Sequence, residues 1–175
     1  MSLSMYQNLT ICIFFDYPGS NMRRNERELS EIQEIEDIIS KADVCRIALA
    51  DNNLPYIIAL NFGYSKEPGN KLFFHCASEG KKLEMIRKNN FVCFQMDIEH
   101  KLYSGSKGCD WGMKYRSVVG FGIITEVKGS KERKAGLDCI MSHYGDSREY
   151  SYDDHVLSRT TILCLEIKEM TGKKC

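Results

Sequence analysis

Apolar residues return at two different periods along this chain, and the switch between them marks its elements. Ser30, with Gln33 at capping-box spacing, opens a helix in which Ile32, Ile35, Ile38 and Ile39 form one stripe ending near Ala42. Residues 44–50 then read as a strand, Asp51-Asn52-Asn53 as a turn, and residues 56–64 as a second strand completing a hairpin. Glu67-Pro68-Gly69-Asn70 is a strong turn before a third strand at residues 71–75, and the three strands are expected to form an antiparallel meander. Ala77-Ser78-Glu79-Gly80 breaks the pattern. Residues 81–88 follow as a short helix with Leu83 and Ile86 turned inward.

The second half repeats this alternation. Residues 91–97 form a strand and residues 98–108 a polar, glycine-containing loop. Residues 113–127 form a long strand in which Gly120 and Gly122 imply a bend or a close approach. Ser130 caps a helix that points Leu137, Ile140, Met141 and Tyr144 at the core. Residues 148–158 are looser, with Asp153 and Asp154 as cap residues, and residues 160–169 make the last strand. Six strands with two to three helices predict a mainly β fold. Nothing alternates in long βα units and no GxGxxG or Walker loop occurs, so a doubly wound sheet is excluded in favour of an antiparallel, closed or partly closed barrel.

Composition narrows the picture. With 175 residues, 43% hydrophobic and 27% charged, the chain suits one domain with its own core. Lys plus Arg equals Asp plus Glu at 24 each, so no general field draws nucleic acid or a membrane surface, and any anion site must be local. The eight cysteines are widely spaced, several inside apolar strands, with no C-x-x-C pair. That reads as a reduced, cytoplasmic protein without a structural metal. The N-terminal 21 residues stand apart. Met1 to Ser4 is tag-like, Asn8-Leu9-Thr10 matches a glycosylation sequon without meaning in a cytosolic chain, and the apolar run at 9–15 is too short to span a bilayer. Residues 22–175 are expected to form the single domain.

Three segments carry candidate chemistry. In His75-Cys76-Ala77-Ser78-Glu79-Gly80-Lys81-Lys82 a strand end, a glycine break and two ammonium groups meet a helix start, a recipe for holding phosphate. The same lysines also fit a solvated surface pair. Trp111, Tyr115, Arg116 and Ser117, entering the long strand, suit either a pocket for a flat aromatic ligand or ordinary packing on the core. Asn61 interrupts an apolar strand, and if buried its amide needs a partner, whether a heterocycle edge or the backbone. His75 is open to a structural role, cofactor contact or ligation; His100, His143 and His155 share no spacing with it.

Taken in order, Met22-Arg23-Arg24, Cys45-Arg46-Ile47-Ala48, Pro55-Tyr56 with Leu60-Asn61-Phe62-Gly63-Tyr64, Phe74-His75 with Glu79-Gly80-Lys81-Lys82, and Asp110-Trp111 with Tyr115-Arg116-Ser117-Val118 and Gly120-Phe121-Gly122 form a specific set. The set resembles the pyridoxamine 5′-phosphate oxidase-like superfamily, in particular its nitroimidazole-resistance branch, over residues 22 to about 173. The resemblance implies an FMN-binding split barrel acting as a homodimer with flavins at the subunit interface. It implies that Lys81 and Lys82 bind the FMN phosphate beside Ser78 and Gly80, and that Ala59, Leu60 and Asn61 follow the ring edge. His75 and Cys76 would lie near the ribityl chain and ring, and Trp111, Arg116 and Ser117 would complete the pocket, some from the partner subunit. His75 is the implied catalytic residue. The implied activity is an FMN-dependent reductase taking electrons from a nicotinamide cofactor and passing them to a small-molecule acceptor such as a nitro-aromatic. The alternative is a flavin- or haem-binding protein without turnover. The arginine-rich substrate-binding C-terminus of pyridoxamine phosphate oxidase itself is missing, which argues against vitamin B6 oxidation.

Overall fold

Cys45, Ile47 and Leu49 are buried while Arg46 and Ala48 are only half so, the two-residue period of a strand with one face on a core. The same alternation recurs at residues 71–74 and 91–98 of a computed structural model that describes residues 24–145 and 148–175. The apolar run at 9–15, and Met22 and Arg23 of the first motif, lie outside the described residues.

The elements are β1 (Glu28–Leu29), α1 (Ile32–Lys41), β2 (Cys45–Asp51), β3 (Leu54–Leu60), β4 (Phe62–Ser65), β5 (Lys71–Ala77), α2 (Lys81–Lys88), β6 (Phe91–Tyr103), β7 (Gly112–Glu126), α3 (Ser130–Tyr144), α4 (Asp154–Ser158) and β8 (Thr160–Lys174). One antiparallel sheet runs β3-β2-β6-β7-β8-β5-β4, with β1 paired to β8. The fold is the expected mainly β split barrel with peripheral helices, though with eight strands rather than six among the described residues. The two additions have separate causes. β1 is too short to show a period, and the apolar run at 56–64 is broken at Asn61 into β3 and β4.

That break overturns the expected meander. β2 and β3 do form a hairpin, and its turn residues Asn52 and Asn53 both sit at positive φ (47° and 64°), as a twist-matched two-residue turn requires. β4 does not follow on beside them. It pairs with β5 at the opposite end of the sheet. One residue, Asn61, therefore joins the sheet's two ends, and the sheet must curl for both to meet it. Tyr144 pins this elbow. Its hydroxyl donates to the Asp43 carbonyl (2.8 Å) and accepts from the Phe62 N–H (3.1 Å), while His143 bonds the Ala42 carbonyl (2.8 Å) and packs its ring 4.3 Å from that of Phe62. Tyr144 is thus a surface clamp rather than the core residue expected.

The curled sheet encloses Ile47, Phe62, Leu72, Phe74, Phe94, Met96, Ile124 and Leu165, joined by Ile38 and Ile39 of α1 and Leu83 of α2. Burial of each such side chain contributes about 1.5–3 kcal/mol, so this layer is the chief source of stability. Gly120 and Gly122 behave as their spacing predicts. The β7–β8 register shifts between Phe121 and Gly122, and a Cβ at either glycine would press on the carbonyl of Glu169 or Glu166.

Three local expectations shift. Residues 98–103, expected in a loop, continue β6 as an arm paired with β7 beyond a bulge after Ile98. α1 is capped from Glu31 and α3 from Gly129, neither with a side-chain bond, so Ser30 and Ser130 do not cap. Asp153 does cap α4, accepting from the N–H groups of His155 and Val156.

Two substitutions test the elbow. Gly63 packs against the α3 backbone, where a Cβ would meet the Cys139 carbonyl group and the Ile140 nitrogen. Gly63→Ala is expected to lower unfolding free energy by about 2–3 kcal/mol in a urea titration, since neither neighbour is a side chain that can swing away. Tyr144→Phe removes both clamp hydrogen bonds and is expected to cost about 1–2 kcal/mol in the same titration, with the fold retained by circular dichroism.

Candidate functional site

β5 ends at Ala77, and the chain turns through Ser78 and Gly80 into α2. Gly80 has φ 125°, a region that side-chain-bearing residues rarely adopt, with open space around its α-carbon, so the backbone and not crowding demands glycine. It is the N-cap of α2, and no side chain bonds the first turn. The leading N–H groups of the helix are left for another acceptor.

Four cations ride on α2, and they divide into two pairs. Arg87 holds Glu126 through two hydrogen bonds (2.7 and 3.2 Å), and Lys88 holds Asp51 at 2.8 Å. Lys81 and Lys82, at the helix start, have no carboxylate partner among the described residues. The Lys81 ammonium lies 4.7 Å from the centroid of the Tyr56 ring on β3. Lys82 faces Cys76, whose thiol is pushed up chiefly by burial and in part by Glu126, against the pull of the Lys82 ammonium.

Tyr56 also brings β3 to this place. β3 is an end strand of the sheet, so one backbone edge through Ala59 and Leu60 to the elbow at Asn61 has no strand partner. Asn61 is exposed, so its side chain does not carry the burial cost that the sequence raised. The structure thus gathers Lys81, Lys82, Gly80, Ser78 and Cys76 around the β5–α2 turn, with the Ala59–Asn61 edge reached along the strand that carries Tyr56.

The other candidates lie elsewhere. His75 and Cys76 occupy opposite faces of β5. Cys76 packs on the core side, whereas His75 is exposed and faces α3, at a cleft that also includes Leu137 and Tyr152. Arg116 and Ser117 stand at the far end of β7, roughly 30 Å along the strand from Glu126 at 3.3 Å per residue. Arg116 is engaged there by Glu99 (2.8 and 2.5 Å) and Asp37 (2.8 Å), which raise its pKa and hold it charged. Ser117 is buried between Asp97 and Lys173. Trp111 is 53% exposed on the β6–β7 arm, its indole N–H donating to the Gly105 carbonyl (3.0 Å). One chain alone does not bring this second group to the lysines. Sequence reasoning missed the Tyr56 contact, the Glu99–Arg116–Asp37 network and the cleft beside His75; each depends on residues distant in the chain.

All seven described cysteines are free thiols. Among the described residues no group of three or more His, Cys, Asp or Glu side chains could hold a metal ion, and no helix is long and apolar enough to cross a membrane.

The family model described as pyridoxamine 5′-phosphate oxidase matches residues 31–174. A candidate 5-nitroimidazole antibiotic resistance protein from Bacteroides thetaiotaomicron is 32% identical in sequence and similar in structure, with a TM-score of 0.73 over 84% of this chain and 86% of that one. A protein from Mesorhizobium loti described as FAD-binding is 26% identical, with a TM-score of 0.61 over 85% of this chain and 97% of that one. An FAD- and haem-binding protein from Mycobacterium smegmatis shares the fold at 16% identity, with a TM-score of 0.74 over 85% and 73% of the two chains. No curated protein sequence matches. The ordered motifs, the split barrel and these similarities agree: the chain belongs to the pyridoxamine 5′-phosphate oxidase family, on its nitroimidazole-resistance-like branch.

Proposed function

We propose that the chain is a flavoprotein that binds FMN and works as an NAD(P)H-dependent reductase of small-molecule acceptors, nitro-aromatics among them. The observation that carries this reading is the pair of lysines without carboxylate partners at the uncapped start of α2. Two ammonium groups beside open backbone N–H groups, none of them engaged by a carboxylate, form a donor set that one anion can satisfy. A terminal phosphate fits that donor set, and the unpaired β3 edge, with Ile57 and Ala59 exposed along it, suits a flat ring.

In this reading Lys81 and Lys82 bind the phosphate, with Ser78 and Gly80 beside it and Tyr56 steadying the Lys81 ammonium. Ala59, Leu60 and Asn61 orient the ring through their free backbone edge and the Asn61 amide. Cys76 packs beneath the ribityl side, and His75 holds a proton at its imidazole for the acceptor. Flavin, when bound, supplies the two-electron chemistry, and the protein sets its position and electrostatics. The Mesorhizobium loti relative binds FAD, which makes flavin the general expectation and FMN the specific one.

A homodimer belongs to the same proposal. Leu102 (61% exposed), Trp111 (53%) and Met113 (43%) leave an apolar surface on the β6–β7 arm, which a second copy would cover. A partner's arm would also carry its Trp111, Arg116 and Ser117 toward the lysines. The site in this reading is cytoplasmic and draws on no nucleic acid or membrane.

The purified protein is expected to take up FMN with a yellow flavin spectrum, to sediment as a dimer, and to lose its flavin absorbance when NADH or NADPH is added without oxygen. Flavin retained without bleaching by either nicotinamide would leave a flavin-storing protein, and a Soret band in place of flavin would make it a haem-binding one. Lys81→Ala together with Lys82→Ala is expected to weaken FMN at least a hundredfold in a fluorescence titration, because each charge-assisted contact is worth about 1.5–3 kcal/mol. Riboflavin, which lacks the phosphate, should lose far less. Equal losses for the two ligands would show that the phosphate sits elsewhere.

A further inference from the structure

Where β7 gives way to α3, a cleft of about 250 Å³ opens against the start of β8, separate from the one beside His75. It lies below the roughly 300–1,000 Å³ typical of sites for drug-sized ligands, so it suits a small occupant. Its lining is mostly polar. Lys128 comes from the link between β7 and α3, Arg133 from α3, Ser158 from the end of α4, and Thr160 and Thr161 from β8. Arg133 is held in place by the protein itself. Its Nη2 donates to the carbonyls of Leu157 and Thr160 at the turn from α4 into β8, the second at 2.6 Å. Its Nε and Nη1 make no hydrogen bond among the described residues. Lys128 has neither hydrogen bond nor ion pair among them, and the Thr161 hydroxyl has no partner there either.

The remaining polar groups do not oppose an anion. Among the described residues Glu126 is the one carboxylate in the lining, and Arg87 engages both its oxygens. The Ser158 and Thr160 hydroxyls donate to the carbonyls of His155 and Val156 (2.8 Å each). Asp154 lines an adjoining cleft with Lys134, not this one. The first turn of α3 is no part of the donor set, because the Glu132 carboxylate folds back over Gly129. What is left is an ammonium, two guanidinium nitrogens and a hydroxyl, all donors, so the occupant must accept hydrogen bonds and carry negative charge. A planar carboxylate can satisfy the Arg133 fork alone. A tetrahedral ion can also take Lys128 and Thr161, which reach the cleft from two other elements. We infer that this cleft binds a small tetrahedral oxyanion of the phosphate class on Arg133, Lys128 and Thr161. Lys81 and Lys82 do not line it, so the inference stands apart from the flavin reading. The two places are nonetheless close, since Thr161 is the strand partner of Cys76.

Inorganic phosphate, glycerol 3-phosphate and acetate are suitable probes, titrated at constant ionic strength into FMN-free and FMN-loaded protein alike. Backbone amide shifts and the Arg133 Nε–H resonance report the binding. Phosphate is expected to move the signals of Lys128, Arg133 and Thr161 saturably, and to bind roughly tenfold tighter than acetate. Tighter binding of glycerol 3-phosphate makes the occupant a phosphate monoester, and tighter binding of inorganic phosphate makes it the free ion. Lys128→Gln, at an exposed position that spares the fold, should weaken phosphate about tenfold, the effect of one hydrogen bond to a charged group. Thr161→Val should weaken it about threefold, as loss of a neutral donor does. Lys81→Ala together with Lys82→Ala should leave the shifts at this cleft unchanged. Shifts confined to α2, shifts abolished by that double variant, acetate binding as well as phosphate, or indifference to Lys128→Gln would overturn the assignment. Protein that takes up FMN but shows no phosphate shift here would sink the cleft alone. Saturable shifts here in protein that never takes up FMN would sink the flavin reading alone.

Discussion

Everything in this architecture answers to one covalent constraint: the two ends of an eight-stranded sheet are tied together by Asn61. A sheet so tied cannot lie flat, and strand twist gives it the hand in which to curl. The curl turns Ile47, Phe74, Phe94 and Leu165 toward one interior. It also leaves the β3 backbone edge exposed next to the turn from β5 into α2, where the candidate site lies. The Tyr144 and His143 contacts hold the knot from outside, so the edge is fixed in place although no strand pairs with it.

Charge is distributed with the same economy. Arg87, Lys88 and Arg116 each meet carboxylates supplied by other elements. Such pairs near the surface contribute little individually, but they fix long side chains in place. Glu126 and Asp51 are engaged by the last turn of α2, on Arg87 and Lys88, while Glu84 in its first turn forms no ion pair with Lys81 or Lys82. Lys81 and Lys82 are left outside these ion pairs in a chain whose formal charge is zero.

Much of this was legible in the sequence wherever a period was clean. α2 spans the 81–88 segment its pattern predicts, β7 follows its own closely, and β8 starts at Thr160 as expected but runs to Lys174 rather than Glu169. The elbow at Asn61 was not legible, because the run from Tyr56 to Tyr64 is apolar almost throughout and so carries no phase to show a change of partner. The outer part of β6 was hidden for the opposite reason. Past Ile98 its residues are all exposed, and hydropathy cannot tell a solvated arm from a loop. The phosphate-type turn was readable because helix start, glycine and lysines are adjacent in sequence. The fate of Arg116 was not, since Glu99 and Asp37 reach it from two other elements.

The opposed placement of His75 and Cys76 has a consequence for how this chain tolerates change. Because a strand presents successive residues to alternate sides, losing one residue between the Asn70 turn and His75 would exchange the two. The imidazole would be driven toward the barrel interior and the thiol out toward α3, along with the rest of β5 beyond the lost residue. Length in this short stretch is therefore constrained as tightly as residue identity, and a single-codon deletion there would rewire two surfaces at once.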